Sequence, residues 1–389
     1  MEQGLGRPAP IPSLVAMVAM GAGTAAAHIG INFTTYLVGG LMDRFGFSAA
    51  QMGVFSMAET LTYALAMLII APRAADLSPR GLAVLASALV IAAQAVSVGM
   101  STFAPLVLGR MVAGLGFGLL NGAVNLAAAR LPHPARAISA GIAGQTLLFA
   151  GINLGLPIVG ARYGVVGMFW TLAALSAALG MGTLALPGSR ETRDVTLAPR
   201  LPFPWQGWPL LLAMALFATG SLSIWPFMER AAHAIGLSAV EFGRYQSLAT
   251  LASAAGNTVL VAVVARLPRR WPLLLALLAC GLACAGLTTV TLGWAFALAL
   301  ILFNASWFIA YPLLLGLAYS QDASGRLALM TTAVWLLAQS LGALGAGVMA
   351  TALGSYQIIG PLGLVGCLLA LAVAWPLARQ ADRGSAMAG

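Results

Sequence analysis

Long apolar runs follow one another along almost the entire chain, and the breaks between them hold most of its charges. A hydrocarbon core ~30 Å thick is crossed by about 20 apolar residues in a helix. The pattern therefore predicts membrane-spanning helices at 12–40, 51–72, 81–101, 104–129, 137–161 and 164–187, and again at 206–228, 241–265, 271–291, 293–318, 327–353 and 356–378. Between the sixth and seventh lies the longest polar interval, PGSRETRDVTLAPRLPFP (Pro187 to Pro204), whose Pro and charge content reads as a linker. The expected fold is an all-α polytopic membrane protein with a six-helix bundle at 1–188, a cytoplasmic linker at 189–204 and a second six-helix bundle at 205–389.

One polar phrase is written twice. LMDRFGFSAAQMG (Leu41 to Gly53) and FMERAAHAIGLSAVEFG (Phe227 to Gly243) both run Met-acid-Arg and then Gly-apolar-Ser-Ala, ending on Gly. Gly46, Ser48, Ala49 and Gly53 match Gly236, Ser238, Ala239 and Gly243 at an offset of 190, while the Met-acid-Arg part needs a four-residue insertion in the second copy. The same offset pairs Leu77 with Leu267, Arg80 with Arg270, Arg136 with Arg326, Gly155 with Gly345 and Gly164 with Gly354. A register held through polar loops marks parallel repeats, which place a substrate site near the midplane between two rocking halves.

Composition narrows the class further. Hydrophobic residues make up 60% of the chain and charged residues 7%, against about 25% charged in a soluble domain. A β-barrel would show short alternating segments instead. The basic residues behind the net charge of +9 are all arginines and, apart from Arg110, are set singly or in pairs in the loops, so they form no nucleic-acid stripe. With the N-terminus inside, fourteen arginines fall on the cytoplasmic side and four (Arg44, Arg162, Arg230, Arg244) outside, which places both termini in the cytoplasm. Cys280, Cys284 and Cys367 lie in apolar runs with no further ligands nearby and read as packing residues, so no metal site is expected. The first apolar run is too long for a cleavable signal peptide.

The topology resembles the major facilitator superfamily over nearly the whole sequence. PRAADLSPR (Pro72 to Arg80) keeps Asp76 and Arg80 of that family's second-to-third-helix loop motif, with Pro72, Leu77 and Pro79 departing from it. GRMVAGLGFG (Gly109 to Gly118) carries Arg110 and Gly114 in the fourth-helix positions. GINLGLPIVG (Gly151 to Gly160) resembles the fifth-helix antiporter motif, with Leu156 where a Gly is usual. The resemblance implies a cytoplasmic gate that uses Asp76 and Arg80, and proton coupling at the fourth-helix Arg. Gly151, Gly155 and Pro157, with Gly160, are expected to let the fifth helix bend and approach a neighbour, as Gly342, Gly345 and Gly347 would on the eleventh.

Three ionisable residues lie deep in the segments, His28, Glu59 and Arg110, and an intramembrane charge is a functional-site hypothesis by default. Glu59 and Arg110 fall at similar depth, ~9–12 Å below the outer ends of their helices at 1.5 Å per residue. They can form a static pair, or a switch in which Glu59 takes a proton and releases Arg110. His28, Asn32, Thr35 and Tyr36 share one helical face, which belongs at a cavity rather than in lipid. Helices that line the cavity in the resembling family add Asn121 and Asn125 on the fourth, Ser221 and Trp225 on the seventh, and Asn304, Trp307 and Tyr311 on the tenth. Flanking helices add Tyr63, Gln145, Asn153, Trp335 and Gln339. The C-terminal half shows no deep charge, so the cavity is read as charged on one wall and aromatic-amide on the other.

The function expected is secondary active transport of a small organic solute by alternating access, coupled to protons. A free Arg110 favours an organic acid or zwitterion. A drug or organic-cation efflux pump, in which tryptophans and Glu59 hold a cation, and an uncoupled uniporter stand as alternatives. No Walker-type loop or other cofactor motif is present, and neither a nucleophile–base pair nor a metal-enzyme motif argues for an enzyme. The expected partners are a small-molecule substrate, protons and the lipid bilayer. The chain is expected to be a monomer in a plasma membrane of the bacterial inner-membrane kind.

Overall fold

The computed structural model describes residues 14–70, 76–131, 134–186, 207–264, 267–322 and 326–388, so the expected linker at 189–204 lies outside the described residues. Among those described the chain is helical, with no strand. The first half holds α1 (Leu14–Phe45), α2 (Ala49–Ile70), α3 (Pro79–Ser97), α4 (Phe103–Ala129) and α5 (Pro134–Thr183). The second holds α6 (Trp208–Leu222), α7 (Met228–Ala234), α8 (Ala239–Val264), α9 (Arg270–Thr289), α10 (Gly293–Gln321), α11 (Arg326–Leu353) and α12 (Ile359–Ala388). Ten helical stretches among the described residues are long and apolar enough to cross a membrane. Gly164 breaks α5 into two rods at φ 63°, which recovers the fifth and sixth predicted segments. The seventh is α6 and α7 joined through a 3-10 turn at Trp225–Phe227. With α8 at the eighth predicted position, the architecture is consistent with twelve crossings.

The repeat is written in the backbone as well. Four glycines have positive φ: Gly46, Gly164, Gly236 and Gly354, at 68°, 63°, 84° and 62°. They form two pairs 190 residues apart, at the turns after α1 and α7, and at the α5 break and after α11. A left-handed residue ends a helix while satisfying its last carbonyls, and only glycine takes that conformation without a Cβ penalty. Gly46 donates to the Met42 carbonyl at 2.9 Å and Gly236 to that of His233 at 3.0 Å.

All four turns lie at one face of the molecule, called distal here; the terminal face is the one that carries Leu14 and the end of α12. The two halves meet through α2 on α11, α5 on α8, and α1 on α7 and its 3-10 turn. Small residues let backbones touch where no side chain intervenes. A methyl group on Gly53 would come within 2.7 Å of the Ala343 carbonyl oxygen, and one on Gly347 would strike the Ala49 carbonyl. Between α5 and α8 the glycine lies on α8, where Gly243 packs on the Asn153 carbonyl and the Pro157 ring.

This corrects part of the expected gating set. Gly151 and Gly155 are exposed, and with Gly345 they have open space where a Cβ would point. The periodicity of α5 placed a glycine face correctly but could not show which face met α8. Gly155→Leu should therefore leave transport turnover near the parent value, whereas Gly243→Leu should block distal closure and slow it at least tenfold. Turnover of both variants in proteoliposomes, normalised to inserted protein, checks this.

Candidate functional site

The deepest polar cluster lies inside the first half. Glu59 of α2 is 0% exposed and Arg110 of α4 is 3% exposed. Arg110 Nη2 forms an ion pair with Glu59 Oε2. The same nitrogen donates to the Thr34 hydroxyl and to the Gly30 carbonyl, at 2.5 and 3.3 Å. The Thr34 hydroxyl sits 3.1 Å from Glu59 Oε2 and 2.9 Å from the Gly30 carbonyl, so its one proton serves either acceptor. Glu59 Oε1 and Arg110 Nε have no hydrogen-bond partner among the described residues. The Phe55 ring lies 5.0 Å from the guanidinium carbon. Two glycines make the room: a Cβ on Gly30 would collide with Glu59 Oε1, and one on Gly114 with the Glu59 carbonyl.

Beside this pair runs a chain of rings across the midplane. His28 Nδ1 lies 2.8 Å from the Thr24 carbonyl. A carbonyl only accepts, so Nδ1 carries the proton and Nε2 is left to accept from the Tyr63 hydroxyl at 3.4 Å. Gln145 flanks the imidazole. Across the interface, Trp307 and Tyr311 of α10 stack at 5.2 Å and 6°, and Trp335 of α11 tilts against both at 5.9 and 5.1 Å. The Tyr311 hydroxyl is 3.5 Å from that of Thr332. Thr332, Leu336, Met67 and Asn125 line a cavity of about 220 Å³ between α2, α4 and α11 in the terminal half of the molecule.

Several predicted cavity residues instead hold the halves together. The Tyr36 hydroxyl donates to Asn153 Oδ1 at 3.0 Å, and Asn153 Nδ2 donates to Thr250 of α8 at 3.1 Å. The Trp225 indole donates to the Ile31 carbonyl at 2.8 Å. Ser221 and Asn304 return their hydrogen bonds to the carbonyls four residues back, on Phe217 and Leu300, and Asn32 does the same to His28. The Ser221 hydroxyl proton is thereby engaged, while each Asn amide keeps a second N–H. Asn121 donates to the Met67 sulfur at 3.3 Å. Sequence periodicity fixes a face but cannot tell a free amide from one already engaged.

Sequence reasoning missed a second charge cluster, at the distal face. Arg230 Nη1 and Nη2 donate to the two oxygens of Asp43 at 2.6 and 3.0 Å. Its Nε and Nη2 also reach Glu229, at 2.7 and 3.0 Å. Glu229 is 2% exposed, and its amide donates to Thr35 of α1 at 3.0 Å. The second half therefore does hold a buried charge, contrary to the sequence expectation. The burial comes from α1 packing over a helix end, where Gly39 leaves room for the carboxylate. The signal was in the repeated Met-acid-Arg phrase: the acid of the first copy meets the arginine of the second.

The expected cytoplasmic gate is not engaged between halves among the described residues. Asp76 and Arg80 are both exposed, and Arg80 donates to the Leu186 carbonyl within the first half at 3.2 and 3.1 Å. Arg130 likewise donates to the Leu77 carbonyl at 2.8 Å.

A family model described as Major Facilitator Superfamily matches residues 18–328. No curated protein sequence matches the chain. Among solved structures, that of the nucleoside transporter NupG superposes with a TM-score of 0.73 at 13% identity, covering 93% of this chain and 98% of that one. A D-xylose-proton symporter gives 0.72 at 15% identity, covering 92% and 96%. A bacterial homolog of the human lysosomal transporter Spinster, inward-facing and unoccupied, gives 0.69 at 16% identity, covering 97% and 98%. At these identities the likeness is one of fold.

Proposed function

The chain belongs to the Major Facilitator Superfamily, and from that premise we propose that it moves a small organic solute by alternating access, coupled to protons through Glu59. The observation that carries this reading is the buried Glu59–Arg110 pair with its bridging Thr34 hydroxyl. A carboxylate in this position can be neutralised by Arg110 or by a proton. Protonation would free the guanidinium and with it the contacts of α4 to α1, so one proton links two packings of the first half. The His28–Tyr63 pair supplies a route between Glu59 and the rings of the second half.

Geometry also favours a state. Hydrogen bonds between the halves run from the helix middles to the distal ends, from Thr60–Ser340 at 2.7 Å to Asp43–Arg230 at 2.6 Å. A cavity of about 220 Å³ lies in the terminal half, and one of about 370 Å³ lies at the distal face, where Asp43 and Arg230 bridge the halves beside it. Arg80, Arg130, Arg269, Arg270 and Arg326 lie toward the terminal face, which the positive-inside rule assigns to the cytoplasm. The molecule is then a plasma-membrane protein in an inward-facing state, with residues 1–188 and 205–389 as the moving bundles. Engagement of Arg110 by Glu59 weakens the organic-acid reading, because a carboxylate would have to displace Glu59.

Purified protein in proteoliposomes, tested on a metabolite panel with and without an imposed pH difference, decides the matter. The expected result is accumulation of one solute class that collapses with a protonophore. Equal uptake with and without the pH difference would favour a uniporter.

A further inference from the structure

The wall made by α10 and α11 holds polar atoms that no described residue satisfies. The indole nitrogens of Trp307 and Trp335 and the Oε1 of Gln339 are buried without a hydrogen-bond partner among the described residues. Gln339 is 3% exposed. A buried polar group left unmet is costly, and native interiors hold few of them. Three on the one wall where the rings of Trp307 and Trp335 meet leave room for a ligand's polar groups. Trp335 and Gln339 lie on the same turns of α11 as Thr332 and Leu336, which line the cavity.

The charges around this region are already matched. Glu59 and Arg110 hold each other, and His28 and Tyr63 hold each other. Among the described residues a charged solute would meet no free counter-ion there, and an ion in a dry site without one is costly. The unmet groups also specify a pattern: two indole N–H donors ask for acceptors, and the Gln339 amide oxygen asks for a donor. The ring cluster of Trp307, Tyr311 and Trp335 suits a flat molecule. We infer that the site on α10 and α11 takes a neutral planar ring compound that carries both a carbonyl-type acceptor and an N–H or O–H donor. This rests on the transport reading for its setting, yet it concerns binding alone.

A matched series separates charge from shape: nicotinamide (neutral), nicotinate (anion) and 1-methylnicotinamide (cation), with benzamide and benzoate as a second pair. Binding to the protein in nanodiscs is read by thermal-shift titration and by equilibrium dialysis of labelled probe, up to millimolar concentration. The neutral members should bind about tenfold tighter than their charged partners. Trp335→Phe keeps the ring and removes the N–H, and Gln339→Leu keeps the volume and removes the amide. Each should weaken the neutral probes roughly five- to tenfold, with an unchanged elution profile as the folding control. Equal or tighter binding of the charged members, no binding by any member, or no effect of either substitution would each overturn the inference. A charged compound that binds and is accumulated would leave proton-coupled transport standing. A neutral one that binds but is not driven by the pH difference would leave the inference standing and remove the coupling.

Discussion

Glu59→Gln is expected to abolish solute accumulation under an imposed pH difference while solute exchange persists. Exchange requires no net proton movement, so only the coupled mode depends on a titrating carboxyl. The pairing geometry sharpens the expectation, because Glu59 and Arg110 are both almost inaccessible and the guanidinium makes its ion pair with Glu59. Removing one partner of a buried pair typically costs about 3–5 kcal/mol, because the other is left uncompensated. Arg110→Gln alone should therefore insert poorly, and the double variant Glu59→Gln, Arg110→Gln should express better than Arg110→Gln. Counterflow of labelled solute, measured beside gradient-driven uptake, separates the two modes. Normal accumulation by Glu59→Gln would remove Glu59 as the proton site and leave His28 as the candidate.

The second large effect is expected at the distal face. Arg230 carries two acids at once, and one of them, Glu229, is buried. Arg230→Gln strands Glu229 only while the distal face is closed, so the cost of about 3–5 kcal/mol falls on that state. A bias of this size shifts the open-to-closed ratio by roughly two to three orders of magnitude. Spin labels at Tyr163 and Leu292, both exposed and in different halves, report the distal separation. The native Cys280, Cys284 and Cys367 are buried, which confines labelling to the introduced sites. The distance distribution should move to longer values in Arg230→Gln and return toward the parent in Glu229→Gln, Arg230→Gln. An unchanged distribution in the single variant would show that the helix packing alone closes this face.

What the chain determines by itself is what depends on local pattern. Apolar runs of membrane-crossing length need only a count of residues. The repeat needs only register, and the left-handed glycines Gly46 and Gly236 stand at the turns where that register placed them. Glu59 and Arg110 stood out because a charge in a lipid-length run is conspicuous wherever it falls. Tertiary structure decided the rest, because partnership depends on which faces meet. It engaged Asn153 and Trp225 in hydrogen bonds between the halves, with Tyr36 bonded to Asn153 inside the first half, and it moved the close contact of α5 from Gly155 to Asn153 and Pro157 against Gly243. It also buried Glu229 beneath α1, where depth along a helix gave no hint of it. Burial at an interface is a property of two helices, and hydrophobic periodicity describes one at a time.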